Sequence, residues 1–154
     1  MRFMLELAQA SGQDSPVSMS LVAQRTQLSR PYLDQLAMAL RHAALIRARS
    51  GRKGGYVLAR PADKILLLEI VEAAIGTVAI TDCVDGPAKC VRSPLCACRG
   101  IWVRINDRIR AALAEYTLAD LARESTALEQ SAAALVPAIK LPARSRAAAS
   151  LPRT

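Results

Sequence analysis

Apolar residues return at helical intervals from the first positions of the chain. Phe3, Met4, Leu7 and Ala8 share one face, which predicts an amphipathic helix over residues 3–10. Gly12 to Pro16 has the composition of a loop. Ser18 or Ser20 then caps a short helix through Arg25, with Leu21, Val22 and Ala23 inward. After a turn at Thr26 to Leu28, Ser29 caps a second helix that tolerates Pro31 in its first turn and runs to about Ala43. Leu33, Leu36, Ala37 and Leu40 form its buried stripe. Leu45 to Arg49 and Tyr56 to Arg60 have strand character and are joined by the Gly-rich segment 50–55, so they predict a hairpin. Asp63 is expected to cap an apolar helix over Lys64 to Ala74, which Gly76 ends. Thr81 to Arg99 is expected to be a loop in which Pro87 and Pro94 prevent regular structure. Beyond it Ile101, Ile105, Ile109, Ala112 and Leu113 predict a long helix from about Gly100 to Tyr116, and Thr117 caps a further turn or two over Leu118 to Ala122. Residues 125–154 are rich in Ala, Arg, Pro and Ser and predict a loose basic tail with one marginal helix over 126–135.

The expected fold is therefore mainly α with a small β-hairpin. Short helix, tight turn, longer helix and basic hairpin is the element order of a winged helix-turn-helix, whose second helix enters the DNA major groove. The organisation follows: 1–80 a DNA-binding domain, 81–99 a cysteine-rich sensor loop, 100–123 a dimerisation helix with its following turn, and 124–154 the tail. Charge agrees with this order. The formal net charge is +8, and no acid occurs between Asp34 and Asp63, while Arg41, Arg47, Arg49, Arg52, Lys53 and Arg60 all fall there. Such residues suit phosphate, which supplies affinity. Discrimination between bases is expected from Ser29, Arg30, Tyr32 and Gln35, which point away from the Leu33/Leu36 stripe. Arg41, Arg49, Arg52 and Lys53 complete the candidate DNA contacts. Tyr56, beside Gly54 and Gly55, is assigned to packing beneath the hairpin.

The most apolar run, Ile65 to Ile80, carries Glu69 and Glu72 and is too polar to span a membrane. The N-terminal residues, with Glu6 and no cleavage-like site, do not resemble a signal peptide. A cytoplasmic protein without a membrane partner is expected. Four cysteines, Cys83, Cys90, Cys96 and Cys98, lie within sixteen residues. In a reducing compartment such a group points to metal binding or redox chemistry rather than a disulfide framework. Thiolates of this kind bind an iron–sulfur cluster, zinc or copper(I). The absence of a C-x2-C knuckle argues against zinc, and the wide spacing of the first three cysteines suits the larger cluster.

Leu28-Ser29-x-x-Tyr32-Leu33-x-Gln35-Leu36, the Gly51-x-Lys53-Gly54-Gly55-Tyr56 wing, the Cys83/Cys90/Cys96 triplet and Trp102 together resemble the IscR/NsrR/CymR type of bacterial winged helix-turn-helix transcription regulators. The resemblance covers roughly residues 2–123. It implies that Cys83, Cys90 and Cys96 ligate a 2Fe–2S or 4Fe–4S cluster and that the helix after the cysteines is the dimer interface. The histidine that IscR-like relatives carry shortly before the tryptophan is Arg99 here, which cannot act as a ligand. Cys98 is the substitute this sequence offers, and Glu6 of a partner chain is the alternative suggested by NsrR-like relatives. Members of the family begin further upstream with a basic segment, which places Met1 inside their first helix. Their arginine before the first wing glycine is Ser50 here, with Arg49 one place earlier.

The expected function is a homodimeric regulator that binds a roughly palindromic operator in double-stranded DNA, with affinity controlled by a cluster in the cysteine loop. A second reading keeps DNA binding and replaces the cluster by a thiol/disulfide switch among the same cysteines. A third, a zinc-stabilised interaction module, is weaker. His42 is the single histidine and lies among the basic residues, and no catalytic set can be assembled around it, so an enzyme is not expected.

Overall fold

The computed structural model describes residues 1–11, 16–51 and 54–135, and within these the chain is helical apart from one hairpin. Helix α1 spans Arg2–Ser11, α2 Met19–Thr26 and α3 Arg30–His42. Strands β1, Ile46–Arg49, and β2, Gly55–Leu58, pair antiparallel with Ile46 opposite Leu58 and Arg49 opposite Gly55. Four helices follow: α4 over Leu67–Ile75, the single turn α5 over Asp82–Asp85, α6 over Ala97–Glu115 and α7 over Leu118–Leu135. One core holds Phe3, Met4 and Leu7 of α1, Val22 of α2, Leu33, Ala37 and Leu40 of α3, Leu45 and Ile46, Leu58, Ile65, Ile70 of α4 and Leu118 of α7. Phe3, Met4, Leu7, Val22, Leu33, Ala37 and Leu40 among them are residues the periodicity placed inward, with Leu36 and Ala8 only half-buried at the margin.

In α2 the capping residue is Ser18, whose hydroxyl accepts from the Leu21 N–H at 3.2 Å. The inward face differs from the expectation. Met19, Val22 and Thr26 are buried, whereas Leu21 and Ala23 pack at the edge. Thr26 tolerates burial because its hydroxyl donates to the Val22 carbonyl at 2.7 Å. Gln27 then takes a left-handed conformation, φ +57°, and turns the chain into α3.

Ser29 occupies the N-cap of α3 with extended backbone, but its hydroxyl makes no capping bond. The second residue, Pro31, has no amide to offer, which leaves only the Tyr32 N–H for an N-cap oxygen, and the Ser29 hydroxyl does not accept from it. At the other end α3 closes with a Schellman motif. Leu45 N–H donates to Leu40 C=O at 2.9 Å and Ala44 N–H to Arg41 C=O at 3.0 Å, with Ala44 left-handed at φ +53°.

The hairpin gains a third edge from Val17, which exchanges two backbone hydrogen bonds with Tyr56, at 3.0 and 2.9 Å. Gly55 makes this possible. A Cβ there would lie 2.6 Å from the Val17 carbonyl carbon and closer still to its oxygen. Tyr56 packs edge-on against Phe3 with ring centroids 6.0 Å apart, beneath the hairpin.

Expectations for the second half are corrected at several points. Asp63 does not cap a helix from Lys64; it lies exposed in a 3-10 turn over Ala62–Lys64. The chain then stays extended, because Leu118 N–H donates to Ile65 C=O at 2.8 Å and Leu67 N–H to Tyr116 C=O at 2.9 Å. The helix starts only at Leu67, where Glu69 caps it by accepting from the Leu66 N–H at 2.9 Å. The cysteine segment is not free of regular structure. Pro87 opens a 3-10 turn over Pro87–Lys89 and Pro94 is the second residue of another over Ser93–Leu95, since a first-turn proline gives up no hydrogen bond. Helix α6 begins at Ala97, not Gly100, and so carries Cys98 and Arg99.

Thr117 caps α7 as expected: its hydroxyl accepts from the Asp120 N–H at 3.2 Å, and the Asp120 carboxylate accepts from the Thr117 N–H at 2.7 Å. The helix continues to Leu135 rather than stopping at Ala122, held along α1. The segment 125–135 is thus helical, and the remainder of the expected tail lies outside the described residues. No described helix is long and apolar enough to cross a membrane.

Candidate nucleic-acid interface and sensor loop

Helix α3 stands with its Leu33/Ala37/Leu40 face in the core, which forces the opposite face into solvent. Ser29, Arg30, Tyr32, Gln35 and Arg41 are all exposed. Gln35 lies opposite the buried stripe, with Tyr32 on one flank of the helix and Arg30 and Arg41 on the other. Arg30 is not a free guanidinium, because its Nε lies 3.1 Å from Asp34 Oδ1 and its Nη1 3.4 Å from the Ser20 hydroxyl on α2. The pair orients Arg30 along α3, and its i, i+4 spacing was readable from the sequence.

On β1, Arg47 and Arg49 are exposed and share one face of the strand, two residues apart. Arg52 and Lys53 of the wing tip lie outside the described residues. Arg60, at the base of the hairpin, is engaged with Glu69 of α4. Burial raises the Glu69 carboxyl, but the Leu66 N–H and the Arg60 guanidinium outweigh that and hold it below its ordinary value. Arg60 therefore fixes the hairpin to α4 instead of offering its charge outward.

The four cysteines are distributed over four local structures. Cys83 is in α5, Cys90 ends the first 3-10 turn, Cys96 ends the second and precedes α6, and Cys98 is in the first turn of α6. All four are free thiols. Cys83, Cys90 and Cys96 are half-buried and Cys98 is exposed. Their sulfurs are not gathered: among the described residues no three His, Cys, Asp or Glu side chains are close enough to hold one metal ion.

The donor chemistry nonetheless suits a cluster, with four thiols on one short segment. Ser93, between Cys90 and Cys96, is buried with a hydroxyl that has no protein partner, and cluster sulfur accepts hydrogen bonds of that kind. Glu6, the alternative fourth ligand, is already engaged within its own chain, with Oε2 2.8 Å from Arg25 Nη1. Arg99, at the position of the missing histidine, donates from Nε to the Cys83 carbonyl at 3.0 Å, tying α6 to α5.

Helix α6 turns its isoleucines outward. Ile101, Trp102, Ile105 and Ile109 are 37–52% exposed along one stripe, and Val91 and Leu95 of the loop above are 99% and 97% exposed. An apolar surface of this extent marks an interaction face. Three residues that the sequence pattern did not single out also connect the loop to the rest: Asn106 of α6 bonds the backbone of Val78 and Ile80, and Glu72 of α4 pairs with Arg110 of α6. Nothing in the period of the helix distinguishes Asn106 from a solvent-facing residue. Its role depends on a segment 26 residues earlier.

Comparison with known proteins gives a family match over residues 1–124, to the Rrf2 model described as an iron-dependent transcriptional regulator. The transcriptional regulator CymR of Bacillus subtilis is 36% identical over 121 residues, covering 77% of this chain and 80% of that protein. The solved structure of CymR, titled the global cysteine regulator of B. subtilis, superposes with a TM-score of 0.63 at 34% identity, covering 79% of this chain and 88% of that one. T. potens IscR superposes with a TM-score of 0.65 at 31% identity and covers 80% of each chain.

Proposed function

Because this chain belongs to the Rrf2 family of transcriptional regulators and is not an enzyme, we propose that it binds a roughly palindromic operator as a homodimer, with affinity set by its four-cysteine loop. The observation that carries the DNA-binding part is the exposure of Ser29, Arg30, Tyr32, Gln35 and Arg41 of α3 and of Arg47 and Arg49 of the hairpin, together with the absence of acids from Gln35 to Ala62. Arg41, Arg49, Arg52 and Lys53 contact phosphate, while Ser29, Arg30, Tyr32 and Gln35 face base edges. The dimer buries the α6 stripe against its copy, which sets the two α3 helices one helical turn of DNA apart or a multiple of it. Residues 1–80 thus read DNA in the cytoplasm, 81–99 sense and 100–123 dimerise.

The sensing chemistry is an iron–sulfur cluster ligated by Cys83, Cys90 and Cys96, with Cys98 as the fourth ligand. Its support is the four-thiol donor set, the unpartnered Ser93 hydroxyl, and the engagement of Glu6 by Arg25. When bound, a cluster supplies iron–sulfur bonds whose stability depends on redox state and oxidants. This chain's part is to close the loop so that the dispersed sulfurs converge. A second reading, a thiol switch without a cluster, is favoured by that same dispersion and by four free thiols of which none is fully buried.

One purification separates the readings. Protein prepared without oxygen should show broad visible absorption with stoichiometric iron and sulfide, and its affinity for a duplex selected from random-sequence DNA should differ between loaded and apo forms. Colourless, iron-free protein whose DNA binding responds to dithiothreitol identifies the thiol switch. Zinc in stoichiometric amount with no DNA affinity would remove both.

A further inference from the structure

Among the described residues of α6 the one that is buried is Asn106, 4% exposed, on a helix whose isoleucines face solvent. A buried amide is costly unless both its ends are bonded. Here they are: Oδ1 accepts from the Ile80 N–H at 3.1 Å, and Nδ2 donates to the Val78 carbonyl at 3.0 Å. Those two backbone groups belong to residues two apart, so the side chain meets one edge of the segment as a neighbouring strand would. The Val78 N–H in turn donates to Glu72 Oε1 at 3.3 Å, and that carboxylate is held by Arg110 of α6.

Residues 78–80 are thus gripped by α4 and α6 together. This is the stretch through which the chain passes from α4 to the cysteines. One residue beyond Ile80, the Thr81 hydroxyl is 3.3 Å from Cys83 Sγ. In the other direction α4 packs against α3, the helix that carries the candidate base contacts.

We propose that Asn106, with the Glu72–Arg110 pair, is a positioning residue that couples the sensor loop to α3. When the Cys83 sulfur changes its partner, Thr81 and residues 78–80 shift, and the Asn106 amide passes the shift to α4 and α6 rather than letting the loop absorb it. A linker held only by its covalent ends would move without consequence, since energetic coupling needs an element that both sites bias. This inference rests on the sensing reading above.

The test uses the full chain as wild type, Asn106→Leu and Glu72→Gln. Affinity for a fluorescein-labelled duplex, recovered from a random pool with the wild-type protein, is measured on three states: thiols reduced with dithiothreitol, oxidised with diamide, and reconstituted with iron and sulfide without oxygen. The wild type should differ by about tenfold or more between two of these states. In Asn106→Leu that ratio should fall below about threefold, while the affinity of the reduced form stays within about threefold of wild type. A purely structural role would lower both affinities together. Amide exchange at Ile80 should accelerate about tenfold in the variant while that of Ile70 does not change.

Asn106→Leu protein that is folded, exchanges Ile80 faster and still keeps the wild-type ratio overturns the coupling role and leaves the sensing reading intact. Should Asn106→Leu not fold, Glu72→Gln is judged by the same ratio, because it keeps the shape of the side chain and removes the charge that holds Arg110. A wild type with equal affinity in all three states overturns the sensing reading itself, and the coupling with it, before any substitution is considered.

Discussion

Replacing Gly55 by alanine tests whether the wing is built on a backbone contact. The added Cβ would lie 2.6 Å from the Val17 carbonyl carbon and 3.0 Å from the Ser18 nitrogen, both backbone atoms that cannot rotate away. Relief requires the Val17 segment to move outward, which breaks its two hydrogen bonds with Tyr56 and exposes a Val17 side chain that is now buried. At roughly 0.5–1.5 kcal/mol net for each bond, the expected loss is about 2 kcal/mol. For a chain of this size that lowers the melting temperature by about 4–8 °C, measured by far-ultraviolet circular dichroism. Gly100→Ala is the control. It sits in the first part of α6, where the nearest atom to a new Cβ is the far end of Arg104 at 3.9 Å, so alanine should raise stability by roughly 0.5–1 kcal/mol. The same substitution thus carries opposite signs at two sites. Gly55→Ala melting within one degree of wild type, with the Val17 amide still protected from exchange, would refute the close approach.

Three further outcomes are expected. Ala44→Gly should stabilise the protein by about 0.5–1 kcal/mol in urea unfolding, because relief of a left-handed alanine at φ +53° exceeds the extra freedom glycine gives the unfolded chain. Glu69 has a lowered folded pKa, so its contribution is fully present above the ordinary value of 4.5 and is lost as pH falls through the lower folded one; the stability difference between wild type and Glu69→Gln should therefore shrink on acidification below that value, and a gap unchanged by pH contradicts the capping role. Arg49→Ala should weaken binding to all duplexes alike and reduce the slope of log affinity against log salt by about 1 for each phosphate that the arginine neutralises, whereas a change of preferred sequence would assign Arg49 to bases.

The first half of the fold was legible because its signals are local. The Leu33/Ala37/Leu40 period, the serine before α2 and Gly54 of the wing each act within a few residues, and the structure honours them. What escaped depends on distant partners. The late start of α4 follows from the pairing of 65–67 with 116–118, and the length of α7 from its packing along α1. Ala44 hid the Schellman end of α3, since glycine is the residue that normally announces it. The α3 face was readable as the side opposite the stripe, whereas Asn106 and Glu72 gain meaning only once residues 78–80 lie between two helices.

The placement of the cysteines yields a test of the sensing chemistry itself. Cys83 belongs to α5, Cys96 and Cys98 to the start of α6, and Cys90 lies between them at the end of a 3-10 turn. Any bond from Cys83 to Cys96 or Cys98, whether through cluster iron or a disulfide, joins α5 to α6 and acts on the segment that Arg99 and Asn106 already tie to that helix. Both chemistries therefore act at the same place. They differ at Cys90, which a cluster needs as a third thiolate and a disulfide from Cys83 to α6 does not. Cys90→Ser is expected to lose visible absorption, bound iron and the dependence of operator affinity on the loop's state all together. Retention of a dithiothreitol-reversible change in affinity by the iron-free variant would replace the cluster by the disulfide and leave the DNA-binding surface as described.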